Sequence, residues 1–236
     1  MTRGRTPETG AAGGRSVAVA GATGLVGRAL VTRLCADPAV AQVHALARRP
    51  LDLKHRKLRM HVVDFAALLP LPALDEVYLA LGTTIKDAGS QERFRAIDFD
   101  ANLAVARAAL AAGATRAGLV SAVGASARSP VFYSRVKGKL EEALAALPFE
   151  TLVIARPSAL RGDRAALGQP VRPGEIRWTQ LDALLRPLIP ARLRAIDAED
   201  VAAALVRRVP LTHGRELLSS ESMQDTGRAA TAQAMR

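Results

Sequence analysis

The chain has 236 residues, enough for one medium-sized α/β domain with a real core and too few for two full-sized ones. Hydrophobic residues make up 49% and aromatic residues only 3%, so a core can form but a stacking surface for bases or sugars is not expected. The formal net charge of +11 rests on 28 arginines spread along the chain without a block of like charges, which reads as a diffuse basic surface; a nucleic-acid partner is not expected.

The lone cysteine, Cys35, excludes an intramolecular disulfide framework. His44, His55, His61 and His213 lack metal-ligand spacing, so no metal site is expected. Apolar runs are of strand length, and residues 1–15 lack the apolar core of a secretory signal. The expectation is a reduced, cytoplasmic protein with no membrane span.

In chain order, residues 1–15 read as a flexible tail. Ser16–Ala20 is a short apolar strand that runs into glycine, and Leu25–Ala36 has helical apolar spacing. Val43–Ala47, Leu58–Val63 and Glu76–Leu81 are further strands. A long Ala-rich helix is predicted over Gln91–Ala112, ended by Gly113. Ala117–Ala122 is a strand, Tyr133–Ala146 a helix and Thr151–Ala155 a strand stopped by Arg156-Pro157. Strands that are apolar throughout and alternate with helices call for a parallel, doubly wound sheet covered on both faces.

After Pro157 the text changes. Residues 158–196 are rich in proline and arginine, with a possible helix at Thr179–Leu188, and read as a small lobe inserted into a domain that spans 16–225. Ala198–Arg208 is a helix with Asp197 at its N-cap and Glu199 and Asp200 at its positive end. Residues 226–236 read as a second flexible tail. Arg161, Arg164, Arg172 and Arg177 either line an anionic pocket in the lobe or belong to the arginine background.

The sequence Gly21-Ala-Thr23-Gly24-Leu25-Val26-Gly27 joins the first strand to the first helix. In that setting Gly21 permits the tight turn, Gly24 lets the backbone approach a pyrophosphate and Gly27 lets the helix pack close to the strand. Amides at the helix N-terminus then meet the phosphate charge. At the end of the second strand, where an NAD site places an Asp or Glu for the ribose 2′-OH, this chain has Arg48 and Arg49. Two guanidiniums suit a 2′-phosphate, so NADP(H) is preferred over NAD(H). Asp64, after the third strand, either accepts from the adenine amino group or caps the following turn.

Tyr133 and Lys137 stand four apart at the start of a helix and so share one face. An ammonium beside a phenol stabilises the phenolate, and the same lysine could hold the nicotinamide ribose. Cys35, in the middle of the first helix, reads as a small buried hydrophobe.

These residues resemble the short-chain dehydrogenase/reductase superfamily in its atypical, extended-like branch, with closest likeness to the Tat-interacting-protein-like NAD(P)H-binding oxidoreductases and their bacterial relatives. The similar text includes GATGLVG at 21–27, ARR at 47–49, LGTT at 81–84, FRAIDFD at 94–100, LVSAVGAS at 119–126, YSRVKGKLE at 133–141 and RPSAL at 156–160. The resemblance implies a single Rossmann domain with a small C-terminal lobe. Leu81, Gly82 and Thr83 would line the ribose side of the cofactor, and Arg156 would flank the nicotinamide.

It further implies that Tyr133 protonates a carbonyl oxygen as hydride arrives, with Lys137 assisting and a serine fixing that oxygen. Where relatives pair two serines after the fifth strand, this chain has Ser121-Ala122, so the donor is Ser121 or Ser126. Asp98 occupies the place of the relay asparagine of many dehydrogenases, with Asn102 one turn later. Three functions follow as expectations. The first is an NADP(H)-dependent oxidoreductase of a small carbonyl-type substrate. The alternative is a catalytically weak or inactive NADP(H)-binding regulatory protein. Epimerase or dehydratase chemistry within the superfamily stays open, although the lobe looks small for a nucleotide-sugar.

Overall fold

The computed structural model describes residues 14–162 and 195–224. The expected helix Thr179–Leu188, both tails apart from Gly14 and Arg15, most of the 158–196 lobe and Arg164, Arg172 and Arg177 lie outside the described residues.

Seven parallel strands form the main sheet: β1 (Arg15–Ala20), β2 (Val40–Ala47), β3 (Leu58–Val62), β4 (Glu76–Leu79), β5 (Arg116–Val120), β6 (Thr151–Arg156) and β9 (Gly214–Ser219). Their order in space is β3-β2-β1-β4-β5-β6-β9. A two-stranded parallel pair, β7 (Leu160–Arg161) and β8 (Ile196–Asp197), stands apart at the start of the lobe.

The strands are apolar on both sides because both sides are covered. From β1, Val17 and Val19 enter a core with α1 (Leu25–Ala36) and α6 (Ala198–Arg208). The alternate residues Ala18 and Ala20 enter a second core with α4 (Asn102–Ala111) and α5 (Phe132–Ala145). This is the expected doubly wound Rossmann architecture. The strand order reverses between β1 and β4, and a crevice opens there at the C-terminal strand ends.

Several expectations need correction. The helix predicted over Gln91–Ala112 is not one α-helix: α3 (Gln91–Arg95) passes into π-helical turns over Ala96–Ala101 before α4 begins. Apolar spacing does not distinguish a π-turn from an α-turn, which differ by a single residue per turn. Strand β9 was not expected, because as an edge strand it buries only Leu218 and leaves Leu217 exposed. The short α2 (Ile85–Ala88) was likewise not expected; it is capped by Thr84, whose Oγ1 accepts from Asp87 N. Asp197 does stand at the N-cap of α6, but its carboxylate accepts from Arg161 instead of capping. Strand β4 also departs from the apolar rule, with Glu76 and Tyr78 fully buried.

No helix among the described residues is long and apolar enough to cross a membrane.

Candidate functional site

The turn from β1 into α1 depends on two glycines. Gly21 has φ +81°, and a β-carbon there would come within 2.5 Å of the Ala80 carbonyl oxygen. At Gly27 a β-carbon would run into the Gly21 carbonyl. The helix therefore lies tight against the strand end, as its sequence spacing predicts. Gly24 is the N-cap of α1 and offers no side-chain cap, and no acidic residue stands in the first turn. The first amides of α1 are left for a partner outside the helix.

That turn forms one wall of a cavity of about 1010 Å³ along the strand ends. Gly21, Thr23, Gly24, Leu25 and Val26 line it from β1, Arg48 and Arg49 from β2, and Asp64 from β3. Leu81, Gly82 and Thr83 follow β4, Ser121 follows β5, and Tyr133 and Lys137 enter from α5. Gly27 and Arg156 are not part of the lining, and neither is Ser126, which is exposed with its backbone N–H donating to Ser134 O at 3.1 Å.

Arg48 and Arg49 are exposed at the rim, with no ion pair among the described residues. Asp64 does line the cavity, and its Oδ1 also accepts from Ala66 N at 2.9 Å, so it caps its own turn.

On α5, Lys137 is buried and Tyr133 half-buried, its ring packed at 5.5 Å centroid distance on Phe94. Lys137 Nζ meets Asp98 Oδ1 at 2.7 Å. Burial alone would lower the lysine's affinity for its proton. Asp98, Tyr133 and Glu141 outweigh that and raise it above the ordinary value.

A second buried network lies beside the first. Ser121 Oγ donates to Glu141 Oε1 at 2.5 Å, and Arg156 donates to the same carboxylate through Nε at 3.0 Å and through its terminal nitrogen at 2.5 Å. Glu141 stands two turns beyond Tyr133 on α5, so one helix carries Tyr133, Lys137 and the acceptor of Ser121. A β-carbon at Gly138 would overlap the backbone of Ser126 and Ala127, which fixes α5 close to the loop after β5. Glu141 closes the YSRVKGKLE segment at 133–141 but was assigned no role from the sequence; its spacing from Tyr133 on one helical face was a further clue.

A fully parallel sheet in this order, a glycine turn at the first strand end and a Tyr/Lys pair facing it define a Rossmann-type domain of the short-chain dehydrogenase/reductase class. The chain belongs to the NAD dependent epimerase/dehydratase family, which its residues 17–151 match. It is 35% identical over 205 residues to the mitochondrial protein FMP52 of Candida albicans, covering 81% of this chain and 86% of that one. It is 33% identical over 215 residues to the mitochondrial protein fmp52 of Aspergillus fumigatus, covering 78% of this chain and 89% of the relative.

Among solved structures, MoeE5 in complex with UDP-glucose and NAD shares the fold at TM-score 0.65 and 20% identity, over 92% of this chain and 82% of that one. A short-chain dehydrogenase/reductase family oxidoreductase from Burkholderia thailandensis shares it at TM-score 0.62 and 16% identity, over 94% and 98%.

The names of the curated relatives overturn the expectation of a cytoplasmic protein, since they are mitochondrial. A secretory signal needs an apolar core and a mitochondrial address does not. The lack of such a core in residues 1–15 therefore carried no weight against a mitochondrial location.

Proposed function

We propose that the protein is an NADP(H)-dependent oxidoreductase acting on a small carbonyl-type substrate. The observation that carries this reading is one cavity whose wall joins the glycine turn, the Arg48–Arg49 pair and the Tyr133–Lys137 pair. The residues fit a dinucleotide: the wall at Gly21 leaves no room for a side chain, the first turn of α1 is uncapped, and two guanidiniums stand at the end of β2.

Gly21, Thr23, Gly24, Leu25 and Val26 would hold the pyrophosphate, with Gly27 keeping the helix close behind them. Arg48 and Arg49 would take the 2′-phosphate and Asp64 the adenine amino group. Leu81, Gly82 and Thr83 would face the ribose side, and Lys137 the ribose hydroxyls. Arg156 contributes from outside the lining by holding Glu141. When bound, the dinucleotide supplies or accepts a hydride at its nicotinamide ring. Tyr133 then gives its hydroxyl proton to the substrate oxygen, and the Lys137 ammonium stabilises the phenolate left behind.

A second reading has a specific observation in its favour. The Ser121 hydroxyl carries one hydrogen and gives it to Glu141, while Ala122 carries none. A site with so few donors for a substrate oxygen also suits a regulatory protein that binds NADP(H) with little or no turnover.

Thermal melts with NADPH, with NADH and without ligand test the binding step, because a ligand of the native state raises its stability. NADPH is expected to give the larger shift; no shift with either nucleotide would remove both readings. NADPH consumption over a panel of small aldehydes and ketones then separates them. The enzyme reading expects consumption that Tyr133→Phe abolishes, and the regulatory reading expects none.

A further inference from the structure

One carboxylate ties together two walls of the cavity. Asp98 lies in the π-helical turns and is fully buried. Its Oδ1 meets Lys137 Nζ of α5 at 2.7 Å, and its Oδ2 accepts the backbone N–H of Thr83, after β4, at 2.8 Å. The equally buried Asn102 completes the joint by donating Nδ2 to Leu81 O at 3.1 Å and to the backbone oxygen of Asp98 at 3.0 Å. The π-turns make this possible: an extra residue in a turn rotates everything beyond it by about 100° relative to an unbroken α-helix.

We propose that Asp98 is a positioning residue of this site, which holds Lys137 as a permanently charged, fixed hydrogen-bond donor and locks the Leu81–Thr83 loop to it. The lysine then works as a stationary cation rather than as a group that hands over its proton. Asp98 is the ion-pair partner of the ammonium, which has three hydrogens and so keeps donors for the cavity. Gly82 keeps that side open: a β-carbon there would stand 3.4 Å from Asp98 Oδ1 and 3.6 Å from Lys137 Nζ.

The titratable groups acting on Lys137 are Asp98 from the π-turns and Tyr133 and Glu141 from its own helix, and all three favour the ammonium. An amide at position 98 cannot replace the carboxylate. It has one acceptor for two donors, and its NH₂ would face either an ammonium or an N–H.

The charge state of Lys137 is read directly by labelling the five lysines with ¹³C and following their ε-carbon shifts with pH, the Lys137 signal being assigned by its loss in Lys137→Arg. Lys137 is expected to stay an ammonium beyond the ordinary lysine value of about 10.4. In Asp98→Asn its midpoint is expected to fall to or below that value. A wild-type Lys137 that titrates at or below that value overturns the proposal, and this readout stands even where Asp98→Asn fails to fold.

The consequence for binding rests on the dinucleotide reading above. Asp98→Asn is expected to weaken NADPH about tenfold, as loss of one charged hydrogen bond does, and to add nothing in a Lys137→Met background. Equal losses in both backgrounds would make Asp98 a general structural residue and overturn the positioning role. A wild-type protein that binds neither NADPH nor NADH would sink the dinucleotide reading alone, leaving the lysine titration to decide this one.

Discussion

The two ends of the sheet both bury charge, but they use it differently. At the N-terminal end, Arg15 reaches Glu76 at 2.6 Å and Asp37 at 2.7 Å, and Tyr78 donates to the other oxygen of Glu76 at 2.8 Å. Those contacts engage both oxygens of Glu76 and the Tyr78 hydroxyl, and none of these side chains lines the cavity. At the C-terminal end, the Lys137 ammonium is paired with Asp98 but keeps hydrogens to donate, Ser121 has spare lone pairs, and both line the cavity. A buried charge whose partners are all internal serves the fold, and one with unspent hydrogen-bonding capacity facing a cavity is available to a ligand.

Substitutions at the two ends should therefore separate stability from chemistry. Tyr133→Phe is expected to lower turnover by about 10²–10⁴-fold, the usual contribution of a positioned acid, with NADPH affinity and melting temperature nearly unchanged. A loss of stability of the same rank at this position would blur the contrast. Glu76→Ala should do the reverse, because it leaves the buried Tyr78 hydroxyl without its acceptor and the Arg15 guanidinium with Asp37 as its remaining carboxylate. The expected cost is about 1–3 kcal/mol in urea unfolding, as for a buried hydroxyl left unsatisfied, with the nucleotide affinity of the remaining folded protein retained.

Arg48→Ala with Arg49→Ala should weaken NADPH by at least about 10–100-fold while leaving NADH within about twofold, since loss of even one charged hydrogen bond costs about 1.5–3 kcal/mol. Equal losses for both nucleotides, measured by titration calorimetry, would remove the 2′-phosphate assignment.

Alkaline pH gives a gentler test of the closed end. Burial, reinforced by the charge of Glu76, pushes the Tyr78 hydroxyl well above its ordinary value, whereas the unfolded chain ionises near 10. A group with a raised folded value contributes stability that is complete below the unfolded value and declines as pH rises beyond it. Urea unfolding of Tyr133→Phe, in which Tyr78 is the remaining tyrosine, should show stability falling above about pH 10. Phenolate absorbance should appear only with unfolding.

The smallest effect is expected at Cys35. Burial raises its thiol and outweighs the opposing charge of Lys57. A thiol reagent at neutral pH should react with it slowly until the protein unfolds.

Much of the fold was legible because it is written in local pattern. Runs such as Val17–Ala20 and Leu152–Ala155 are apolar on both sides only where a sheet is covered twice, and Gly21, Gly24 and Gly27 mark the first turn by their spacing together with their place between the first strand and the first helix. The Tyr133–Lys137 pair was visible because four residues return a helix to the same face. Strand β9 was not legible, because one buried leucine in an edge strand leaves hardly any period to detect. The π-turns were not either, since no residue preference distinguishes them from the α-helical turns on both sides.

By itself the sequence determined the alternation of strands and helices as far as β6, the glycine turn at the first strand end and the placement of a tyrosine and a lysine on one helical face. These are consequences of periodicity and of backbone sterics, which act within a few residues. Only the tertiary structure decided which polar groups meet. Asp98 is set against Lys137 and Thr83, Ser121 is turned toward Glu141, and Glu76 is closed off by Arg15 and Tyr78. All but the Glu76–Tyr78 contact within β4 join separate elements of the chain, and a buried charge accepts whichever partner the packing of those elements brings within reach.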